Sequence, residues 1–263
     1  MKLPPDQRVA CRGCGRGEHR DTKTNQCEYC APGFYQGENN HKGNLGIIRT
    51  CKQCQAGGYA KRVMEFREFE ESPRELLAIC SETNDLGQAE NCNIVQGFHV
   101  DANGELDSGV GLPIGQKLQL KTVLRIDDPA GGKMVLRYKL LNADPNEKFR
   151  VSVDGLTVHI GSQSSEEYQT FEYPMLGDAE HVVDIALLSD FQERRPGFKS
   201  RARVLLQSAV FEGTQLGGGV ECRTCPKGYI SNANRSGCER CPPGKTANAA
   251  QTTCDLCPPG HIK

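Results

Sequence analysis

The 263-residue sequence predicts an all-β protein: a central antiparallel β-sandwich, jelly-roll-like, flanked by small disulfide-rich repeats. Three observations carry this expectation. Fourteen cysteines fall in two dense blocks, eight from Cys11 to Cys92 and six from Cys222 to Cys257, with none in the 129 residues between. Apolar and polar residues alternate with period two through that cysteine-free stretch, as half-buried strands require. No segment carries the pattern of a long helix.

The repeats come first along the chain. Six Cys-x-x-Cys pairs stand at 11/14, 27/30, 51/54, 222/225, 238/241 and 254/257. Twelve residues separate Cys14 from Cys27, Cys225 from Cys238 and Cys241 from Cys254, and twenty separate Cys30 from Cys51. A turn follows the second cysteine, as in Cys30-Ala-Pro-Gly-Phe-Tyr and Cys225-Pro-Lys-Gly-Tyr-Ile. Proline fixes φ and glycine supplies positive φ, so each unit turns tightly after its cysteine. Short loops of this kind build no core of their own and are held by disulfides in an oxidising compartment. All fourteen cysteines are therefore expected in disulfides, and the even count of each block allows it to close internally. Six cysteines permit 15 connectivities, so the pairing inside the repeats stays open. Zinc ribbons also use paired Cys-x-x-Cys motifs. Pairs in threes, each followed by a turn, argue against that alternative, and no metal or other cofactor is expected.

Residues 1–58 and 219–263 are assigned to the repeats, 59–93 to a linker and 94–218 to the sandwich. In the linker, Cys80 and Cys92 are the only cysteines outside a Cys-x-x-Cys pair. They are expected to bond to each other as a staple worth roughly 2–3 kcal/mol. In the sandwich, Leu118, Leu120, Leu124 and Ile126 share one face of 116–126, and Met134, Leu136, Tyr138 and Leu140 share one face of 133–140. Strands 149–153 and 156–160 flank Asp154-Gly155, a dipeptide favoured in type I′ hairpins. Further strands are expected at 94–100, 167–173, 181–188 and 201–212.

Several constellations have a functional and a plain reading. Asp101, Asn103, Glu105 and Asp107 alternate oxygen ligands like the start of a calcium loop, but position 112 is Leu where such a loop needs Glu. A hairpin turn at Asn103-Gly104 accounts for them. Arg194, Arg195, Lys199, Arg201 and Arg203 form a basic stretch, read as a solvated loop feeding the last strand rather than a site for an acidic partner. The six histidines are scattered, and His159 is expected on the polar face of its strand. Asn234-Arg-Ser236 is an N-glycosylation sequon on a repeat turn. No His-Glu-x-x-His, Gly-x-Ser-x-Gly or phosphate-binding glycine loop is present, so an enzyme is not expected. The net charge of −1 offers no long-range field for nucleic acid. No apolar run of membrane-spanning length is present, and no signal-peptide apolar region follows Met1. Both ends look cut, so the chain is expected to be part of a longer protein, joined to a membrane only through segments outside these residues.

The repeat Cys-x-x-Cys-Pro-x-Gly-Tyr resembles the ephrin-receptor-like cysteine-rich repeats, relatives of tumour-necrosis-factor-receptor modules. The order of parts is similar to a more particular arrangement. Cys27-Glu-Tyr-Cys-Ala-Pro-Gly-Phe-Tyr, an acidic linker with phenylalanines, a cysteine-poor sandwich and Val220-Glu-Cys-Arg-Thr-Cys-Pro-Lys-Gly-Tyr-Ile resemble the ectodomain of the endosome/lysosome-associated apoptosis and autophagy regulator family. The resemblance covers about residues 25–258. It implies a non-catalytic extracellular or lumenal ectodomain that binds or scaffolds proteins, on a single-pass membrane protein of endosomal and lysosomal trafficking. The alternative is a lectin-like module of a sorting receptor, although the chain has no Trp to stack on a sugar. The expected partner is thus a protein or a glycan.

Overall fold

The computed structural model describes residues 14–37, 50–67, 69, 76–83, 89–91, 97–113, 115–145, 147–189 and 200–258, with only the backbone of 81–83 and 89–91. All regular structure among these residues is β-strand, and no helix is long and apolar enough to cross a membrane. The chain divides into two units, 1–63 with 128–130 and 216–263, and 64–127 with 131–215.

Short hairpins open the first unit. β1 (Glu18–Arg20) pairs antiparallel with β2 (Cys27–Tyr29), and β3 (Phe34–Tyr35) with β4 (Lys52–Gln53). β5 (Gly58–Arg67) begins in this unit and ends in the second.

The second unit is the sandwich. Its strands are β6 (Leu77–Thr83), β7 (Ala89–Asn91), β8 (His99–Val100), β9 (Leu106–Asp107), β10 (Gln116–Ile126), β11 (Gly132–Leu141), β12 (Glu147–Val153), β13 (Leu156–Gly161), β14 (Gln169–Met175), β15 (Ala179–Ser189) and β16 (Arg203–Glu212). One sheet has the order β13-β12-β15-β10-β6-β7; the other runs β14-β11-β16-β5, with β9 also on β16 and β8 on β9. The alternation read in 116–126 and 133–140 is the alternation of burial along β10 and β11. Leu118, Leu120, Leu136, Phe149, Ile185 and Phe211 are buried in one shared core. Asp154 and Gly155 take φ of 53° and 80°, the two positive values a type I′ turn needs.

Two expectations are corrected here. Residues 59–93 are not simply a linker, because β5 and β6 lie within them and join the sandwich sheets. β5 hides from period-two reading because Tyr59, Ala60, Val63 and Met64 are all buried, so its two faces look alike. The strand expected at 94–100 is confined to His99–Val100 among the described residues. Cys80 is disulfide-bonded. Its expected partner Cys92 lies outside the described residues, as do Cys11, Arg194, Arg195 and Lys199.

The first unit resumes with β17 (Gly218–Thr224), which pairs with the first half of β5. β18 (Tyr229–Ser231) pairs with β19 (Cys238–Arg240), and β20 (Lys245–Ala247) with β21 (Cys254–Leu256). Among the described residues, the disulfides of this unit are Cys14–Cys27, Cys30–Cys51, Cys54–Cys222, Cys225–Cys238 and Cys241–Cys254. The second cysteine of each pair thus bonds the first cysteine of the next. The blocks do not close internally, since Cys54–Cys222 joins them across 168 positions. Backbone hydrogen bonds keep the same beat: Cys30 N–H donates to Gly17 O, Cys54 to Gly33, Cys225 to Gly57, Cys241 to Gly228 and Cys257 to Gly244. Those five glycines have φ of 76–83°, the value required at the third position of a type II turn. The two blocks are one array, and the sandwich fills the loop of its β5–β17 hairpin. Cys257, expected in a disulfide, carries a free thiol. By the linkage rule its partner would open a following pair, and none follows within these residues.

Candidate functional site

The described residues of the sandwich contain an open cleft of about 520 Å³, lined by Gly97, Phe98, His99, Asp107, Gly109, Val110 and Arg203. Register assembles it. Lys139 on β11 is opposite Leu205 on β16, Leu205 is opposite Asp107 on β9, and Asp107 is opposite His99 on β8. Side chains of opposed residues share a face, so this row crosses four strands of one sheet on one side. Arg203 follows at the start of β16, two residues before Leu205 and therefore on the same face.

Asp107 is the centre of the cleft and is 3% exposed. Its Oδ1 accepts hydrogen bonds from Arg203 Nε and Gly109 N, both at 2.8 Å, and its Oδ2 from Arg203 Nη2 at 2.5 Å. Burial works against the carboxylate charge, but the guanidinium and the Gly109 N–H outweigh it and hold Asp107 below its ordinary value. Arg203 is raised in turn, first by its hydrogen bond to Asp107. His99 is exposed and stands with Nε2 3.6 Å from Asp107 Oδ2. Between them and the core, Ser108 Oγ accepts from Val204 N at 2.9 Å and donates to Gly109 O at 3.1 Å.

A second polar group adjoins this row. Glu105 accepts a short hydrogen bond from Tyr168 Oη and one from Gln207 Nε2 at 3.4 Å. Lys139 Nζ lies 4.2 Å and Arg137 Cζ 5.3 Å from the Tyr168 ring centroid, within cation–π range. Burial first, then the Glu105 carboxylate, pushes the Tyr168 hydroxyl up to about 12.

The hairpin turn expected at Asn103-Gly104 is present, between β8 and β9. The oxygen ligands 101, 103, 105 and 107 do not converge on one point. Asp101 Oδ1 accepts from Asn103 N at 2.8 Å and Glu105 N at 2.9 Å, which is turn chemistry, and Gly104 takes φ of 74°. Glu105 and Asp107 go to Tyr168 and Arg203 instead. Arg203 opens β16, inside the strand expected at 201–212, and is bound to Asp107. His159, expected on a polar face, is half-buried: its ring stacks on Phe171 at 4.3 Å and its Nε2 meets Tyr138 Oη at 2.6 Å. Burial lowers its pKa. His181 is likewise buried, held by Asp154 Oδ2 at 2.7 Å and Leu176 O at 2.9 Å. His19, Cys30 and Cys51 lie close together as a metal site would, but both sulfurs belong to one disulfide and offer no thiolate. Asn234 is exposed, and its Oδ1 accepts from Ser236 Oγ at 2.7 Å. The cleft itself was missed because Asp107 and Arg203 lie 96 positions apart, with no local pattern to announce the pair.

No family model matches the chain, and no curated protein does. Among solved structures it is similar to a family two carbohydrate esterase from Cellvibrio japonicus, with 15% identity over 60% of this chain and TM-score 0.34. That match spans 35% of the esterase. It is also similar to a family 29 carbohydrate-binding module complexed with cellulohexaose, with 13% identity over 58% of this chain and 92% of the module, TM-score 0.36. A xylan-binding module, CBM15, shares 6% identity over 57% of this chain and 95% of its own, TM-score 0.34.

Proposed function

We propose that this chain is a non-catalytic binding module of an extracellular or lumenal compartment, in which the cysteine array is a spacer and the sandwich presents the Asp107–Arg203 cleft to a protein partner. One observation carries the reading: the cleft is concave and open, yet its charged floor is locked in place by its own hydrogen bonds. Asp107 is committed to Arg203 and Gly109, and the Ser108 hydroxyl to Val204 and Gly109. Such preorganised groups orient a ligand at low entropic cost. A nucleophile would need an activated hydroxyl, and the Ser108 hydroxyl beside the cleft is bound to main-chain groups. Five disulfides among the described residues match an oxidising compartment. We extend the proposal to the parent molecule: an ectodomain of the endosome/lysosome-associated regulator type, carried on a single-pass membrane protein.

A carbohydrate ligand is the second reading, favoured by the exposed His99 imidazole beside a fixed carboxylate and guanidinium, a set that matches paired hydroxyls. The two separate experimentally. The chain is immobilised and probed in parallel with a glycan array and with lumenal and extracellular proteins under crosslinking, using His99→Ala and Val110→Asp as cleft variants. Protein capture lost in both variants supports the leading reading, and selective glycan binding lost in both supports the second. Binding unchanged in both removes the cleft from either.

A further inference from the structure

We propose that the outer face of the β13-β12-β15-β10-β6 sheet binds a sulfated polysaccharide. The proposal does not rest on the cleft, which belongs to the other sheet. Register places the relevant residues in three adjacent rows. Lys148, Leu188 and Lys117 are opposed across β12, β15 and β10; Arg150, Ala186 and Gln119 form the next row; Ser152, Asp184 and Lys121 the third. These residues face away from the core, because the alternating positions Leu118, Leu120, Phe149, Val151, Ile185 and Leu187 are the buried ones.

Charge on this face is lopsided, although the whole chain balances 32 cationic against 33 anionic side chains. The three rows carry four cations and one carboxylate. That carboxylate, Asp184, is bound to Lys117 Nζ at 2.6 Å. Lys121, Lys148 and Arg150 make no ion pair or side-chain hydrogen bond among the described residues. Arg150, in the middle row, is half-buried. A guanidinium is the side chain best suited to take a planar pair of anionic oxygens.

Spacing and topology choose the class of anion. Strands about 4.8 Å apart put Lys148 about 10 Å from Lys117, and a rise of about 3.4 Å per residue puts Arg150 about 7 Å from Lys148 and Lys121 about 14 Å from Lys117. Cations so dispersed over a flat surface suit a chain carrying repeated strong anions, not one isolated phosphate. An acidic peptide would gain most by adding a strand to a sheet edge. β12, β15 and β10 are paired on both sides and offer no edge. Side-chain charge is all this face presents, and sulfate groups stay ionised at any pH the compartment reaches.

The test uses the full chain and a heparin-derived octasaccharide immobilised on a biosensor, at about 0.05 and 0.15 M salt. Retention is expected at the lower salt, with affinity falling at least tenfold at the higher as screening shortens. A Lys121→Gln/Lys148→Gln/Arg150→Gln variant should lose at least tenfold in affinity, while Val110→Asp in the cleft should stay within twofold. If the triple variant does not fold, Lys121→Glu/Lys148→Glu, two half-exposed positions, replaces it with the same expectation. No retention at low salt overturns the proposal. So does unchanged affinity in the variants, equal binding of chemically desulfated octasaccharide, or equally potent competition by polyglutamate.

Discussion

At the scale of single residues, Asp107 and Arg203 explain most of the cleft. A carboxylate that is 3% exposed survives as an ion only because a guanidinium grips both of its oxygens. Arg203→Ala should therefore cost about 3 kcal/mol, more than the loss of an exposed ion pair, because it strands a buried charge. A drop in the urea midpoint with unchanged slope checks this, and a loss below about 1 kcal/mol contradicts it. The pH dependence follows in sign. Asp107 titrates lower when folded than when unfolded. Its contribution is complete above its unfolded value, about 3.9, and disappears as pH falls through the folded value below that. Midpoints measured from about pH 6 down to about pH 2 should fall more shallowly in Arg203→Ala than in the parent chain. Asn234 belongs to this scale as well. Its exposed side chain, already turned to Ser236 Oγ, should carry a glycan when the chain passes through a secretory pathway, giving a mass increment absent from Asn234→Gln.

At the scale of elements, glycines of equal φ have unequal importance. Gly155 and Gly33 both sit near 80°, but a Cβ on Gly155 would meet nothing within 4 Å, whereas one on Gly33 would lie 1.9 Å from Asn234 O. Gly155→Ala should cost only the left-handed backbone penalty, about 1–2 kcal/mol. Gly33→Ala should cost clearly more, since two backbones of the array would have to separate. Thermal midpoints of the two variants give the order, and equal losses would refute it. The same scale shows what was legible in the sequence. β10, β11 and the β12–β13 hairpin could be read because one face of each is wetter than the other and the turn residues are particular. β5 could not, because both of its faces are buried and no alternation survives. The repeat turns were legible at each cysteine, since a type II turn announces itself in Pro-x-Gly or x-Gly. Arg203 and Asp107 were not, since a salt bridge between strands 96 positions apart leaves no trace in spacing. His159 was misread because alternation put Thr157 and His159 on the polar side, whereas the register sets His159 opposite the buried Val151, on the core side against Phe171.

At the scale of the whole molecule, the cysteine array is continuous in bonding although interrupted in sequence. The β5–β17 hairpin does what β1–β2, β18–β19 and β20–β21 do, with a sandwich in place of a short loop. A disulfide at the base of so long an insertion restricts the unfolded chain, an effect that grows slowly with loop length. The sandwich carries its own shared core, so Cys54→Ser/Cys222→Ser should leave its unfolding transition cooperative while exposing the array to proteolysis. Loss of the sandwich transition in that variant would show that the disulfide, and not the core, holds the insertion together.

Peptide mapping of the unreduced protein by mass spectrometry bears most directly on this account. A crosslinked peptide joining Cys54 to Cys222 is expected, beside the short-range links 14–27, 30–51, 225–238 and 241–254. Cys54 bonded inside the first cysteine block, or recovered as a free thiol, would contradict it.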